Sequence, residues 1–471
     1  MKRTISLSLA LMITTLTFFS CGGTSAPVSE GTTVPGTDTY AAVTTEADLF
    51  KDVNLDGFNL RVLNWEGKLW NTQSVLDYEE QTGDSVDDAI FMRNRQVEEK
   101  LNMTLEVIYP TSGDCQNDFT KMMSAGEDAY DAVFNKSNVI SANIASGYLY
   151  NLYDLDGIDL DQPWWYPTFN KNLILEGDKL YQAATAAHLM SFDMTVACYV
   201  NKNILDRYNI DEPYSIVRDG RWTYDEMLGY MKQCINLNGD EAFSETGNST
   251  FGVATFGGWL GILSGNADGL VKLDKEGKPY FAGASEKFFN AIDKMTLVFN
   301  GDGHHCGDSS TYDDLFYEGR ALFSLISIGN ASIFRDMDDE YGILPAPKLS
   351  ESEEYSSPMG VSLMLCIPSI SKNAEKTAQA FNALSYYSYN NVVPVYYKSL
   401  CYKGLRDEDS IDMLGIISDS RWADIGCVYG WTYNTLSGLG DGLLAGTLNT
   451  ASYLESAKNS IENSIKSAMN Y

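Results

Sequence analysis

The chain has 471 residues, 33 basic against 64 acidic, for a formal charge of −31. Nucleic acid and anionic lipid surfaces would both repel such a molecule, so neither is expected as a partner; a neutral or cationic ligand is permitted and an anionic one is disfavoured. With 44% hydrophobic and 12% aromatic residues the composition is that of a globular body, and residues 46–471 exceed what one hydrophobic core ordinarily supports, which predicts two domains.

The first segment reads as an export address. Lys2 and Arg3 precede an apolar run from Ile5 to Phe19, followed by Ser20, Cys21 and Gly22. A transmembrane helix needs about 18 or more apolar residues, and no such stretch follows position 21. Residues 1–20 are expected to be a signal peptide. Cys21 resembles the lipidated cysteine of bacterial lipoproteins, although Phe18 stands where that pattern usually has Leu. Residues 21–45 are mostly Gly, Ser, Thr, Pro and Ala and bury too little apolar surface to order themselves, so a flexible tether is expected behind the lipid.

In the body, Phe58, Leu60 and Val62 alternate as a strand requires. A helix follows, with Ser85 expected as its cap, Asp88 three residues on, and Val86, Ile90, Val97 and Leu101 on one face. Residues 105–109 read as a second strand, 118–126 as a short helix stopped at Gly126, and 130–134 as a third strand. Strand, helix, strand, helix, strand predicts a parallel sheet. Thr223 with Glu226 forms a capping box, and Trp222 is placed to staple onto Met227. Residues 271–281 predict a hairpin around Glu276 and Gly277. Asn373 is expected to cap a helix with Ala374, Ala378, Phe381 and Leu384 on its stripe, and Ala457, Ile461, Ile465 and Ala468 mark a terminal amphipathic helix. Beyond Cys21, seven cysteines at 115, 198, 234, 306, 366, 401 and 427 form no disulfide framework. Most sit in apolar runs, as Cys198 and Cys366 do, where a thiol behaves as a small hydrophobe.

Several segments together resemble the extracellular solute-binding proteins of ABC importers, the large family that includes the maltodextrin- and oligosaccharide-binding proteins. They are GDSVDDAIFMRNRQVEEKLNMTLEV from Gly83, AGEDAYDAVF from Ala125, DKLYQAATAAHLMSFDMTVACYVNKNIL from Asp178, FYEGRALFSLISIGN from Phe316, YGILPAPK from Tyr341 and SPMGVSLMLCIPSISKNAEKTAQAF from Ser357. Their order and spacing carry the likeness more than any one string. The resemblance implies an α/β, two-lobe, periplasmic-binding-protein-like fold of type 2, closing by a hinge between the lobes. One lobe is expected over 46–183 and 360–405, the other over 184–358 and 406–471.

A sugar presents apolar ring faces and a polar rim, so its site needs aromatic platforms beside hydrogen-bonding side chains. Ligands of open α/β sheets lie beyond the carboxyl ends of strands, which singles out Trp65, Glu66, Asn135 and Lys136. For each, a core, lid or solvated role is the competing reading. The resemblance adds Asp193 as a polar hinge residue, and Trp259, Asn330, Tyr429 and Trp431 on loops that face the cleft. Trp164 and Trp165 are expected to pin an interlobe loop.

Three signals are set aside. Residues 52–57 match half a calcium loop but place Leu63 where a bidentate Glu is required. His304, His305 and Cys306 are adjacent and lack a fourth ligand. Gly438–Gly442 has neither the spacing nor the context of a nucleotide fingerprint. No catalytic residue, metal or cofactor is expected. The expectation is a monomeric, lipid-anchored binding protein on the outer face of a bacterial cytoplasmic membrane, handing a carbohydrate to an ABC permease. A lipid-anchored glycoside hydrolase or lyase, and a receptor feeding a sensor, are the alternatives.

Overall fold

Of the computed structural model, residues 49–307, 314–400 and 408–470 are described; the signal segment, Cys21, the tether and Cys401 lie outside them. The alternation at Phe58, Leu60 and Val62 becomes β1 (Phe58–Leu63), with all three predicted strands in place: β2 is Met103–Ile108 and β3 is Ala132–Lys136. β1 pairs in parallel with both β2 and β3. The connecting helix Ser85–Leu101 buries Val86, Ile90, Val97 and Leu101. Its cap is Asp84 rather than Ser85: the Asp84 carboxylate accepts from the backbone N–H of Val86 at 2.9 Å and also from Asp87. A carboxylate satisfies the helix start and complements its positive dipole end, so it takes precedence over the neighbouring hydroxyl. The helix Cys115–Ala125 ends at Gly126, at φ 70, as the sequence predicts.

The second sheet begins with β4 (Val196–Asn201) and adds β5 (Phe251–Phe256); the hairpin follows as β6 (Val271–Leu273) and β7 (Pro279–Phe281). Next come β8 (His304–Gly307), β9 (Ala321–Ser327) and β10 (Tyr341–Pro345). The short β11 (Ser357–Pro358) precedes β12 (Leu363–Cys366), and β13 (Arg421–Trp422) is last. The strand order is β12-β3-β1-β2 in one sheet and β10-β4-β9-β5-β8 in the other. β12 runs antiparallel to β3, and β4 antiparallel to both β9 and β10. His304 and His305 are neighbours in β8, where successive side chains point to opposite faces.

Thr223 caps the helix Tyr224–Cys234, its hydroxyl accepting from Glu226 N–H at 3.3 Å. Trp222 is fully buried and packs against the rings of Tyr230 and Phe323. Asn373 stands at the start of the helix Ala374–Tyr387 without a side-chain cap bond. The terminal helix Thr450–Met469 buries Leu454, Ile461, Ile465 and Ala468. No helix among the described residues is long and apolar enough to cross a membrane. Five cysteines, 115, 198, 234, 366 and 427, are free and buried, and burial pushes each thiol upward.

Among the described residues the chain passes between the two sheets twice. Ala183 still pairs with Leu365 of β12, whereas β4 opens the second sheet at Val196. The chain returns between β10 and β12, and the later helix Glu408–Asp419 packs against β10 of the second sheet. A bridge from Thr195 to Met359 and the parallel pairing of β11 with β13 tie the passages together. Two buried arginines brace this region. Arg93 donates to the Ala187 carbonyl at 3.0 Å, to Ser388 Oγ and to the Leu76 carbonyl. Arg421 donates to the Ser191 carbonyl at 2.8 Å and faces the rings of Tyr166, Phe169 and Phe192 at 5.1–5.4 Å. Trp164 and Trp165 are fully buried, and both indole N–H groups donate to Asn382 Oδ1 of the helix Ala374–Tyr387. They anchor that helix beside the first passage, since the Trp164 carbonyl also accepts from Ala186 N–H.

Candidate functional site

The carboxyl end of β1 leads into a loop held by its own polar groups. Asn64 Nδ2 donates to the Ser74 carbonyl at 3.0 Å, Ser74 Oγ donates to Gly67 O at 3.0 Å, and Leu69 N–H donates to Ser74 Oγ at 2.7 Å. The braced loop carries Trp65, Glu66, Lys68 and Trp70. Trp70 adopts left-handed backbone, φ 50 and ψ 41, and leaves 45% of its surface exposed, a conformation of order 1 kcal/mol or more for a bulky residue. The ammonium of Lys136, from the end of β3, lies 4.3 Å from the Trp65 ring centre and 5.5 Å from that of Trp70, and pairs with Asp114 at 3.7 Å. Two indoles and one cation therefore meet at the strand ends. Glu66 is exposed on the same loop. Asn135 is buried and committed within its lobe, donating to Gln116 Oε1 at 2.5 Å and accepting from Lys136 N–H at 2.9 Å.

Asp193 stands where the first passage meets this loop. It is buried; Oδ2 accepts from Gln73 N–H at 2.5 Å and Oδ1 from the Tyr396 hydroxyl. Burial raises its carboxyl to about 7, opposed by the Gln73 bond and by the charges of Lys68 and Arg421. A pocket of about 110 Å³ opens there, with Lys68, Gln73 and Asp84 on one side, Gly329, Ser332 and Arg335 on the other, and Asp193 and Tyr396 between. Asn330 flanks it, buried, its Oδ1 accepting from Ser327 Oγ at 2.8 Å.

A second cluster follows β13. Tyr429 is fully buried, its hydroxyl donating to the Leu173 carbonyl at 2.6 Å, and its ring stacks on Trp431 at 5.0 Å and 14°. Trp431 is 4% exposed. Gly430 allows this segment to approach the other lobe: at φ 77, a Cβ there would stand 1.9 Å from the Asn138 carbonyl oxygen. Ser141 Oγ donates to the Tyr429 carbonyl, and Gln182 Nε2 reaches the carbonyls of Ser137 at 3.4 Å and Val428 at 3.5 Å. Trp259 is 8% exposed and lies against Gly360, where a Cβ would stand 2.8 Å from the ring. Gly360 N–H bonds to the Met194 carbonyl, one residue from Asp193.

Along these contacts several buried polar atoms have no hydrogen-bond partner among the described residues: Trp65 Nε1, Asn138 Oδ1, Gln182 Oε1 and Trp431 Nε1. Each costs of order 1–3 kcal/mol when left unmatched. The set comprises two donors and two acceptors.

Of the residues singled out from sequence, the structure brings Trp65 to Lys136, Tyr429 to Trp431, and Asp193 to the loop carrying Asn330. It sets Asn135 and Tyr429 into internal hydrogen bonds away from open surface. Lys68, Trp70, Gln182, Arg335 and Tyr396 lie among these residues and carry no local sequence signal.

Two sheet-and-helix lobes joined by crossing strands, with aromatic and polar side chains gathered at the crossings, make up the architecture of a hinged binding protein. The chain belongs to the bacterial extracellular solute-binding protein family, whose model matches residues 95–391. No curated protein sequence matches it significantly. Among solved structures it is similar to an ABC substrate-binding protein from Listeria monocytogenes in complex with cycloalternan, at TM-score 0.57 and 13% identity over 88% of this chain and 100% of that one. It is similar to the GacH receptor of Streptomyces glaucescens, determined unliganded and with acarbose, at TM-score 0.57 and 11% identity over 87% and 99%. A sugar transporter from Rhizobium etli in an open conformation matches at TM-score 0.59 and 15% identity over 86% and 99%. At these identities the likeness establishes the fold.

Proposed function

We propose that the chain is the solute-binding component of an ABC importer, capturing a carbohydrate between its lobes and delivering it unaltered to a membrane permease. The unmatched indole N–H groups of Trp65 and Trp431, together with the unmatched oxygens of Asn138 and Gln182, support this reading. A sugar supplies both donors and acceptors to such a set, and its ring face stacks on indole. Sugars and sugar analogues in the names of the structural neighbours favour the same class. Trp65, Glu66, Asn135, Lys136, Asp193, Trp259, Asn330, Tyr429 and Trp431 form the proposed ligand region, with Asn135 and Tyr429 supporting it from within. The lobes divide at 183/184 and 358/360, while the expected division at 405/406 lies outside the described residues. Cys21 carries the lipid that holds a monomeric body at the outer face of the cytoplasmic membrane, residues 1–20 being removed.

A thermal-shift screen across oligosaccharides, amino acids and peptides tests the proposal. A sugar at a hundred times its dissociation constant stabilises the folded state by about 2.7 kcal/mol. Stabilisation by peptides or amino acids alone, or cleavage of the sugar, would refute it.

A further inference from the structure

The pocket at Asp193 presents a cation from each lobe. Lys68 comes from the loop after β1, and Arg335 from the segment after β9. Both are loosely held: Lys68 Nζ is 3.8 Å from Asp87 Oδ1, beyond hydrogen-bond reach, and Arg335 Nε is 3.6 Å from its neighbour Asp336.

The acids nearby are occupied elsewhere. Asp84 caps the helix Ser85–Leu101, its carboxylate on the N–H groups of Val86 and Asp87. Asp87 accepts from Tyr78 Oη at 2.7 Å and Gln73 Nε2 at 3.3 Å. Asp193 is taken by Gln73 N–H and Tyr396, and burial holds its carboxyl largely protonated below about 7. Two half-exposed cations thus face one small space in which Asp84 Oδ1 and both Asp193 oxygens already accept internal hydrogen bonds. The overall charge of −31 acts against an anion at long range, but a Debye length of about 8 Å at physiological salt lets the local pair decide.

We propose that this pocket takes the charged substituent of an anionic sugar, a carboxylate or phosphate held between Lys68 of one lobe and Arg335 of the other. Arg335 offers a planar fork suited to a two-oxygen anion, and Lys68 a point charge. Because the cations come from opposite lobes, the anion also draws the lobes together. The inference rests on the carbohydrate reading above.

Calorimetric titration of the purified protein tests it with three arms: short galacturonate and glucuronate oligomers, neutral oligomers of the same linkage, and glucose and galactose 6-phosphates. The expected result is tighter binding of a carboxylated or phosphorylated sugar than of its neutral partner, weakening as salt is raised. The two acidic arms show which group the pocket prefers. Lys68→Gln and Arg335→Gln are each expected to lower the affinity for the acidic sugar about three- to tenfold, their half exposure keeping the effect modest. Arg335→Lys restores part of it. An unchanged urea-unfolding midpoint in these variants shows that the fold is intact. Neutral sugars binding as tightly as acidic ones, or an acidic-sugar affinity indifferent to both substitutions, would overturn the inference and leave the carbohydrate reading standing. Binding of no sugar in any arm would overturn both.

Discussion

Asp193→Asn separates the role of one buried carboxyl from everything around it. In the folded protein burial raises Asp193 from an ordinary 3.8 to about 7. Between these values the folded state holds one proton that the unfolded chain has released, so stability falls as pH rises. The slope is ~1.36 kcal/mol per pH unit, which over that interval caps the effect at about 4 kcal/mol. Asp424, raised by burial to about 6, acts in the same sense over a narrower range. His188 acts oppositely: burial lowers it to about 3, so its contribution is complete above 6.5 and is lost as pH falls. The wild-type profile therefore mixes terms that partly cancel, whereas the difference between wild type and Asp193→Asn isolates one proton. Asn keeps an acceptor for Tyr396 but presents an amide to Gln73 N–H, a fixed loss of about 1–3 kcal/mol at low pH. Urea unfolding from pH 4.5 to 8 reads both: the variant is less stable at the acid end and gains on wild type as pH rises. Parallel profiles would show that Asp193 ionises in the folded state as freely as in the unfolded one, refuting the burial argument.

Trp431→Ala is expected to abolish the ligand-induced rise in melting temperature and, because the ring is buried on Tyr429, to cost the unliganded protein about 3 kcal/mol or more; sugar affinity within about twofold of wild type would remove Trp431 from the site. Arg421→Met exchanges a buried cation for an apolar chain. Loss of the Ser191 bond and three ring contacts outweighs the relieved desolvation, for a net loss of about 1–3 kcal/mol in urea unfolding. Equal or greater stability would mean the ring cage does not brace the crossing strands.

Local signals transferred well from sequence to structure. β1 follows from alternation, Thr223 and Gly126 from cap chemistry, and the terminal helix from its apolar stripe, because each depends on neighbours a few residues away. The cap at Asp84 rather than Ser85 shows where such signals compete: two good acceptors stand side by side, and charge decides. Trp164 and Trp165 invite a reading as an interlobe pin, yet their shared partner Asn382 lies more than two hundred positions on, invisible to spacing. The pocket joins positions 68, 193, 335 and 396 in the same way. Trp70 is an ordinary aromatic in sequence, and only its left-handed backbone turns it outward beside Lys136. Strand-end logic found Trp65 and Lys136 and equally named Asn135, whose side chain the packing diverts to Gln116. Direction along a strand is written in the sequence; which side chain is consumed internally is settled by tertiary contacts.

Native mass spectrometry of the protein mixed with oligosaccharides examines capture without chemistry in one spectrum. A saturable one-to-one adduct whose released sugar has its starting mass is the expected result. Shortened sugars, or no adduct with any carbohydrate offered, would contradict it.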